Sequence, residues 1–450
     1  MTPPHSTTLL QPLVEVFGDP KLARIFSEEA VIENWLEVER CLAAVQGELG
    51  VIPPEAADAI RHEVTSDKID AATLWKETAI VGYPIVPLIA QVTRTCSEEV
   101  GRYFHWGATT QDIMDSALAM QLAEALAYIE TLVLRLGSSL ARLADEHRAT
   151  LMVGRTHAQH AVPITLGSKF AVWLSELSRH LVRLRGARSR AATVQLFGAA
   201  GTAAALGPAS RETRLRLAKR LELSVTDVPW QSARDTLAEV AFVAAALSAT
   251  CGKIGREVIE LSRPEIAELQ EREATGRGAS STMPQKRNPI TSEAIVAMSV
   301  QAIHQVPSLL FAMQGGHERA AGEWQIEWDA LPTAISLAGA SVVRACEVIE
   351  GIQVFPERMR SNAQLEGDLI MAEKMMMALA PAIGRTRAHE AVYEACLDAR
   401  ANGMSLTDAL EKSGFSLPAT EGMLEPESYL GEADEVVTVA VEAWREISTD

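Results

Sequence analysis

The feature that most constrains the fold is a run of apolar residues at steps of three and four that begins after Asp112. In an α-helix, positions three and four apart share a face, so this spacing predicts one long amphipathic helix. At 1.5 Å of rise per residue, a continuous helix from just after Asp112 to Leu143 is about 45 Å long, which is much longer than an average globular helix. The run consists of Leu118, Leu122, Leu126, Ile129, Val133, Leu136, Leu140 and Leu143.

The same spacing recurs elsewhere in the chain. It predicts helices over residues 27–50, 170–184, 237–261 and about 332–351, and Pro289 is typical of the first residue of another helix. We find no alternating run of strand length and no internal repeat. The sequence therefore predicts an all-α fold.

At 450 residues the chain is too long for one hydrophobic core. We predict three helical domains, with a central long-helix bundle over residues 108–352 between smaller helical domains over residues 1–107 and 353–450. Several helices have apolar residues on more than one face, which predicts burial against other copies of the chain.

Composition narrows the functional classes. The net charge is −18, from 41 basic and 59 acidic residues, so nucleic-acid binding is not expected and an anionic substrate needs a locally basic pocket. The 5 cysteines are scattered without a CxxC pair, and residues 1–5 do not resemble a signal peptide. The longest uncharged stretch, 191–210, contains glycines and a proline, so no membrane span is expected. We predict a soluble cytoplasmic protein.

The segment from Gly276 to Pro289 carries the most chemistry. It combines serines, cations, glycines and prolines directly before a predicted helix, whose first N–H groups suit a carboxylate. Lys286 and Asn288 can add a charge and an amide donor, and nearby positive charge eases deprotonation of a serine. By composition alone, an ordinary surface loop with a helix cap explains the segment equally well.

The sequence Ser280-Ser-Thr-Met-Pro-Gln-Lys-Arg-Asn-Pro289 resembles the signature loop of the fumarase/aspartase superfamily, S-S-x-M-P-x-K-x-N-P, at every fixed position. The resemblance implies that Ser280 is the general base and that Lys286 and Asn288 hold the substrate carboxylate, with Ser281 beside them. It also implies the superfamily's L-aspartase-like fold. Ala279 departs from the glycine of many members, which we expect to affect loop mobility.

Two further blocks resemble the superfamily. In His105-Trp-Gly-Ala-Thr-Thr-Gln-Asp112, the residues Thr109, Thr110 and Gln111 match its carboxylate-binding positions. Read without the resemblance, this block is a helix N-terminus capped by Thr and Asp.

The other block is Gly154-Arg-Thr-His-Ala-Gln-His-Ala-Val-Pro163, in which Thr156 and His157 match the substrate-binding Thr-His pair. The resemblance implies that His157 assists proton transfer. A metal site at the two histidines is the alternative, but no acidic or cysteine partner lies at zinc-site spacing.

The blocks at 229–235 and 317–332 resemble the 3-carboxy-cis,cis-muconate cycloisomerase branch, and residues 366–390 resemble the C-terminal domain of cycloisomerases and adenylosuccinate lyases. Arg319 matches a substrate-contacting arginine of the lyases; the alternative is a surface arginine paired with Glu318 or Glu323. Tyr83 occupies the region where adenylosuccinate lyases carry a catalytic histidine, so it is a possible acid and counts against that activity.

The resemblance implies removal of a proton α to a carboxylate and formation or cleavage of a β C–O or C–N bond, most like the cycloisomerase. The alternative reaction is a C–N elimination of the adenylosuccinate or argininosuccinate lyase type, which a histidine at 157 favours. The resemblance also implies a homotetramer with shared active sites, acting on a small dicarboxylate or tricarboxylate. We expect no cofactor and no metal. An inactive crystallin-like protein and a helical scaffold are the alternatives of another class.

Overall fold

Helices form nearly all the regular structure of the computed structural model, which describes residues 17–273, 278–279, 281–416 and 422–449. The all-α prediction is confirmed. The first helices are short except α2, whose N-terminus is capped by the Ser27 hydroxyl. In chain order they are α1 (Pro20–Ile25), α2 (Glu28–Glu48), α3 (Pro54–Glu63), α4 (Ala71–Val81), α5 (Ile85–Thr95) and α6 (Glu98–Tyr103).

Long helices follow, as the apolar spacing predicts. The first of them has 37 residues, or about 55 Å at 1.5 Å per residue. All of its predicted apolar run is buried except Leu118, which is partly exposed. The helices of this region are α7 (Thr110–Glu146), α8 (Leu166–Ala191), α9 (Ser210–Arg220), α10 (Asp235–Leu261), α11 (Ile290–Ala312) and α12 (Glu323–Glu350).

Helix α12 begins well before the predicted start at Pro332, which lies inside it. A proline usually marks a first turn because it lacks an N–H group. Burial of Trp324 and Glu327 in the preceding turns extends the helix across the proline.

The smaller C-terminal helices are α13 (Pro356–Ala363), α14 (Ala372–Ile383), α15 (Arg385–Asn402), α16 (Leu406–Lys412) and α17 (Ala433–Thr449).

The structure also contains strands that the sequence did not reveal. Strands β1 (Leu151–Thr156) and β2 (Gln159–Thr165) form an antiparallel hairpin, and β3 (Leu269–Gln270) pairs with β4 (Gln353–Val354). The first three residues of β1 are all buried. The alternation of apolar and polar residues that indicates a half-exposed strand is therefore missing. The search for alternating runs therefore missed this hairpin, and the all-α fold class is unaffected by it.

The chain forms two compact units. The first comprises Met1–Val133, His180–Gly252 and Ala294–Arg344, and the second comprises Leu134–Arg179, Lys253–Glu293 and Ala345–Asp450. The three predicted domains with limits after residues 107 and 352 stay a prediction.

Among the residues that the structure describes, four helices are long and apolar enough to cross a bilayer, by length and composition alone. They are α7, α10, α11 and α12, and the buried shares of their most apolar windows are 50%, 67%, 33% and 67%. The most apolar window of α11 is therefore the least buried of the four.

Candidate active site

The block 105–112 forms the entry to α7 in the first unit. The Asp112 carboxylate accepts the N–H of Thr109 at 3.0 Å and those of Phe197 and Gly198 at 2.9 Å each. The capping interpretation thus holds for Asp112. The hydroxyls of Thr109 and Thr110, by contrast, have no hydrogen-bond partner in the described part of the chain and are partly exposed. They are free to meet a ligand.

A partly buried pair, His105 and Glu39, holds this entry in place. His105 has a positive φ of 62°, and its Nδ1 lies 2.5 Å from Oε1 of the buried Glu39. Burial alone would lower the pKa of His105. The charge and the hydrogen bond of Glu39 have the larger combined effect, and the pKa of His105 is therefore above its usual value. The neighbouring Trp106 carbonyl accepts Nε2 of Gln46 at 2.8 Å.

Gln111 is buried and fully engaged as a donor. Its Nε2 donates to Asp115 Oδ2 at 3.1 Å and to the Gln231 carbonyl at 2.8 Å, while its Oε1 accepts Arg319 Nε at 2.9 Å. Both amide hydrogens are thus used within the protein. The contact of Gln111 with substrate stays a prediction; in this structure its side chain orients Arg319.

Arg319 makes no ion pair with Glu318 or Glu323, the partners that a surface role would require. Its Nη2 is buried and has no hydrogen-bond partner among the residues that the structure describes. A buried, unmatched guanidinium N–H is costly unless an acceptor arrives. The surface-pair alternative for Arg319 is therefore not what the structure shows, and its contact with a substrate anion stays a prediction.

Behind Gln111 lies a buried ionic cluster that the sequence analysis did not identify. Arg234 donates to Asp115 at 2.7 and 3.0 Å and to Glu327 at 3.0 and 3.1 Å, and all three side chains are at most 5% exposed. Burial lowers the pKa of Arg234, but the two carboxylates outweigh it and raise that pKa. The only sequence signal was the position of Arg234 within the block 229–235.

Tyr83 follows Gly82, whose φ of 91° ends α4. Its ring stacks on Trp324 with centroids 6.0 Å apart and meets Trp328 edge-on at 6.5 Å. Tyr83 thus lies in the first unit with Thr109, Thr110, Gln111 and Arg319.

The second unit contains Thr156 and His157 at the tip of the β1–β2 hairpin. Because Thr156 pairs with Gln159, the turn is the two residues His157 and Ala158, with φ of 51° and 61°. Two-residue turns with positive φ favour Asn-Gly, so His-Ala stores roughly 1–3 kcal/mol of strain per residue. The exposed His157 imidazole has no hydrogen-bond partner in the described ranges.

An ion pair anchors this hairpin. Arg155 donates to both oxygens of Glu268 at 2.7 and 2.9 Å, and Asn362 Nδ2 donates to the same carboxylate at 2.8 Å. Glu268 is completely buried. The anchor therefore fixes the residue directly before Thr156.

In the signature loop, Asn288 closes a tight bend. Its N–H and its Nδ2 both donate to the Gly278 carbonyl, at 3.0 and 3.1 Å. A Cβ on Gly278 would lie 2.5 Å from the Asn288 carbonyl oxygen, so glycine is required there. Ser281 and Lys286 are exposed in the same loop, and Ser280 lies outside the described residues.

The helix that follows this loop is already capped. Glu271 accepts the N–H groups of Thr291 and Ser292 at 3.4 and 2.7 Å, and the Ser292 hydroxyl at 2.7 Å. The sequence predicted that this helix start offers unpaired N–H groups to a substrate carboxylate. That expectation was wrong for these two amides, because a carboxylate twenty residues away in sequence occupies them.

Comparisons with known proteins agree with the motifs. Residues 18–304 match the family model described as Lyase, and residues 368–440 match the model of the adenylosuccinate lyase C-terminus. The chain is 37% identical to trans-aconitate decarboxylase 1 of Mycosarcoma maydis, covering 94% of this chain and 87% of that protein.

It is also 38% identical to 3-carboxy-cis,cis-muconate cycloisomerase of Pseudomonas aeruginosa, covering 91% of each chain. The crystal structure of 3-carboxy-cis,cis-muconate lactonizing enzyme from Pseudomonas putida superimposes with a TM-score of 0.91 at 34% identity. That superposition covers 97% of this chain and 99% of the other.

Proposed function

Because the chain belongs to the fumarase/aspartase superfamily and is an enzyme of it, we propose that it removes a proton α to a carboxylate and opens or closes a lactone, most like a 3-carboxy-cis,cis-muconate cycloisomerase. Its substrate is a small dicarboxylate or tricarboxylate. Membership in this enzyme family also speaks against the crystallin-like and scaffold alternatives.

The observation that carries the proposal is the buried, unpaired Nη2 of Arg319. Its Nε is fixed by Gln111, and Gln111 is fixed by the buried Asp115. A donor held in place before the substrate arrives stabilises developing charge without reorganisation. The free hydroxyls of Thr109 and Thr110 lie at the start of the same helix as Gln111.

In the lactone-opening direction, Ser280 takes the proton α to a carboxylate, and the electron pair left on that carbon forms the alkene. The β C–O bond breaks, and its electrons leave on the lactone oxygen as a carboxylate. Thr156, Lys286 and Asn288 are the further donors that we assign to the substrate carboxylates. Because a carboxylate is a stable leaving group, this step needs no strong general acid.

A second reaction is favoured by one observation, the strained and exposed His157 at the hairpin tip. An amine or hydroxyl leaving group must be protonated as its bond to carbon breaks, and an imidazole suits that task. A C–N lyase activity, with His157 as acid and Tyr83 as the alternative acid, is therefore the rival to the cycloisomerase.

An absorbance screen separates the two reactions. The purified enzyme is mixed with 3-carboxymuconate, trans-aconitate, adenylosuccinate and argininosuccinate, and the change in alkene absorbance is followed. We expect turnover of the muconate, with loss of its conjugated absorbance as the lactone closes. Fumarate release from an amino-acid substrate alone would favour the rival, and inactivity on all four acids would contradict both.

The assembly that we propose is a homotetramer with active sites shared between subunits, in the cytoplasm, bound to neither nucleic acid nor membrane. Exposed apolar side chains on the long helices support it: Phe242 is 55% and Phe311 is 63% exposed. The free thiols of Cys41, Cys251 and Cys346 suit a reducing compartment. Light scattering should give four chain masses at micromolar concentration, and a monomer mass would contradict the assembly.

A further inference from the structure

A cavity of about 640 Å³ lies in the first unit, between α2, α4, α7 and α12. Its walls are aromatic. Trp35 and Trp75 meet edge to face with ring centroids 6.0 Å apart, and Trp324 and Trp328 do so at 5.2 Å. This volume lies within the range of small-molecule sites in proteins, roughly 300–1,000 Å³.

The charged side chains that line the cavity are all acidic: Glu28, Asp115, Glu327 and Asp329. Arg234 offsets Asp115 and Glu327 but does not itself line the cavity. Within the described ranges, Glu28 and Asp329 have no ion-pair partner. Glu28 and Asp329 thus line the cavity without a counter-charge, and the carboxylates of Asp115 and Glu327 share the single cation Arg234.

We propose that this cavity binds a small organic cation, an ammonium group carried on an apolar or aromatic body. The faces of indole rings attract cations, and this attraction strengthens where water is excluded. The unpaired carboxylates add charge complementarity, and they repel phosphates and carboxylates. The proposed cation binding does not depend on the proposed reaction.

Binding is tested by calorimetry on the full-length enzyme, with benzyltrimethylammonium as the cation and benzyl alcohol as the neutral aromatic control. We expect saturable binding of one cation per chain, about tenfold tighter than the alcohol, which is the scale of a partly desolvated cation–π contact. Equal affinity for the two ligands, or no saturable binding of the cation, would overturn the proposal.

Two variants locate the site. Trp328 is 37% exposed and Asp329 is exposed, so Trp328→Leu and Asp329→Asn remove an aromatic wall and a charge without emptying the core. Each should weaken cation binding about five- to tenfold. The matched control is Asp67→Asn, which removes one negative charge from an exposed turn away from the cavity and should leave the affinity unchanged. Parent-like affinity in both cavity variants, or an equal loss in the control, would show that the cation binds elsewhere.

Discussion

Gln111 Oε1 accepts a hydrogen bond from Arg319 Nε at 2.9 Å, although 208 positions separate the two residues in the chain. Gln111 was expected to touch substrate, and in the structure its side chain orients Arg319. Gln111 is in turn held by Asp115, which pairs with Arg234. Buried charges therefore support the position of Gln111 and, through it, that of Arg319.

Replacing Arg319 by alanine should lower kcat/KM about 10- to 100-fold, mostly through a higher KM, because a charged hydrogen bond to the substrate carboxylate is lost. Steady-state kinetics on the substrate found in the absorbance screen measure this. Arg211→Ala is the matched control, since its ion pair with Asp227 is exposed on both sides. A KM that stays at the parent value in Arg319→Ala would remove Arg319 from the site.

The variant Ser280→Ala should reduce kcat by about 10²–10⁴ with little change in KM, because it removes the proposed base and keeps the loop's cations. The neighbouring Ser281→Ala is the control and should cost much less. Pre-steady-state kinetics on the two folded variants compare them. A larger loss in Ser281→Ala would reverse the assignment, and full activity in both would refute the mechanism.

The variant His157→Asn discriminates the two reactions. Asparagine tolerates a positive φ, so the hairpin tip should keep its shape, as circular dichroism and melting can verify. A cycloisomerase should retain activity within roughly tenfold, whereas a C–N lyase should lose about 10²–10⁴ in kcat. Near-parent turnover of an amine-releasing substrate would exclude His157 as the acid.

Ala158→Gly should stabilise the second unit by about 1 kcal/mol, because glycine relieves the strain of a φ of 61°. Urea denaturation measures the gain. Ala401→Gly, in the last turn of α15, has no such strain to relieve and should not stabilise the protein. A loss of stability in Ala158→Gly would mean that the turn is not strained.

The pair His105 and Glu39 predicts a pH effect. The folded-state pKa of His105 is raised, so the pair's contribution is fully present below the unfolded value of about 6.5 and is lost as pH rises through the folded pKa. Melting curves of the parent and Glu39→Gln should therefore differ most near pH 5.5 and converge towards pH 9. A difference that is constant or grows with pH would contradict the charged pair.

Local sequence determined the helices and the motifs. The apolar run after Asp112 predicts α7 because a helix brings positions three and four apart onto one face, whatever surrounds it. Motif matching found the exposed Lys286 and Ser281 and the hairpin residue His157, because each of them lies in a short contiguous sequence motif. Even so, the hairpin around His157 was missed, because Leu151, Met152 and Val153 are buried together and leave no strand pattern.

Tertiary structure alone decided which groups are already engaged. Glu271 accepts hydrogen bonds from the backbone N–H groups of Thr291 and Ser292, and Asp115 accepts one from the side chain of Gln111. Neither carboxylate belongs to a recognised motif. Whether a donor is free depends on partners brought together by folding from distant positions, and no periodicity in the sequence encodes such pairs. The sequence therefore determined which chemistry this protein carries, and the packed chain decided which atoms remain available to a ligand.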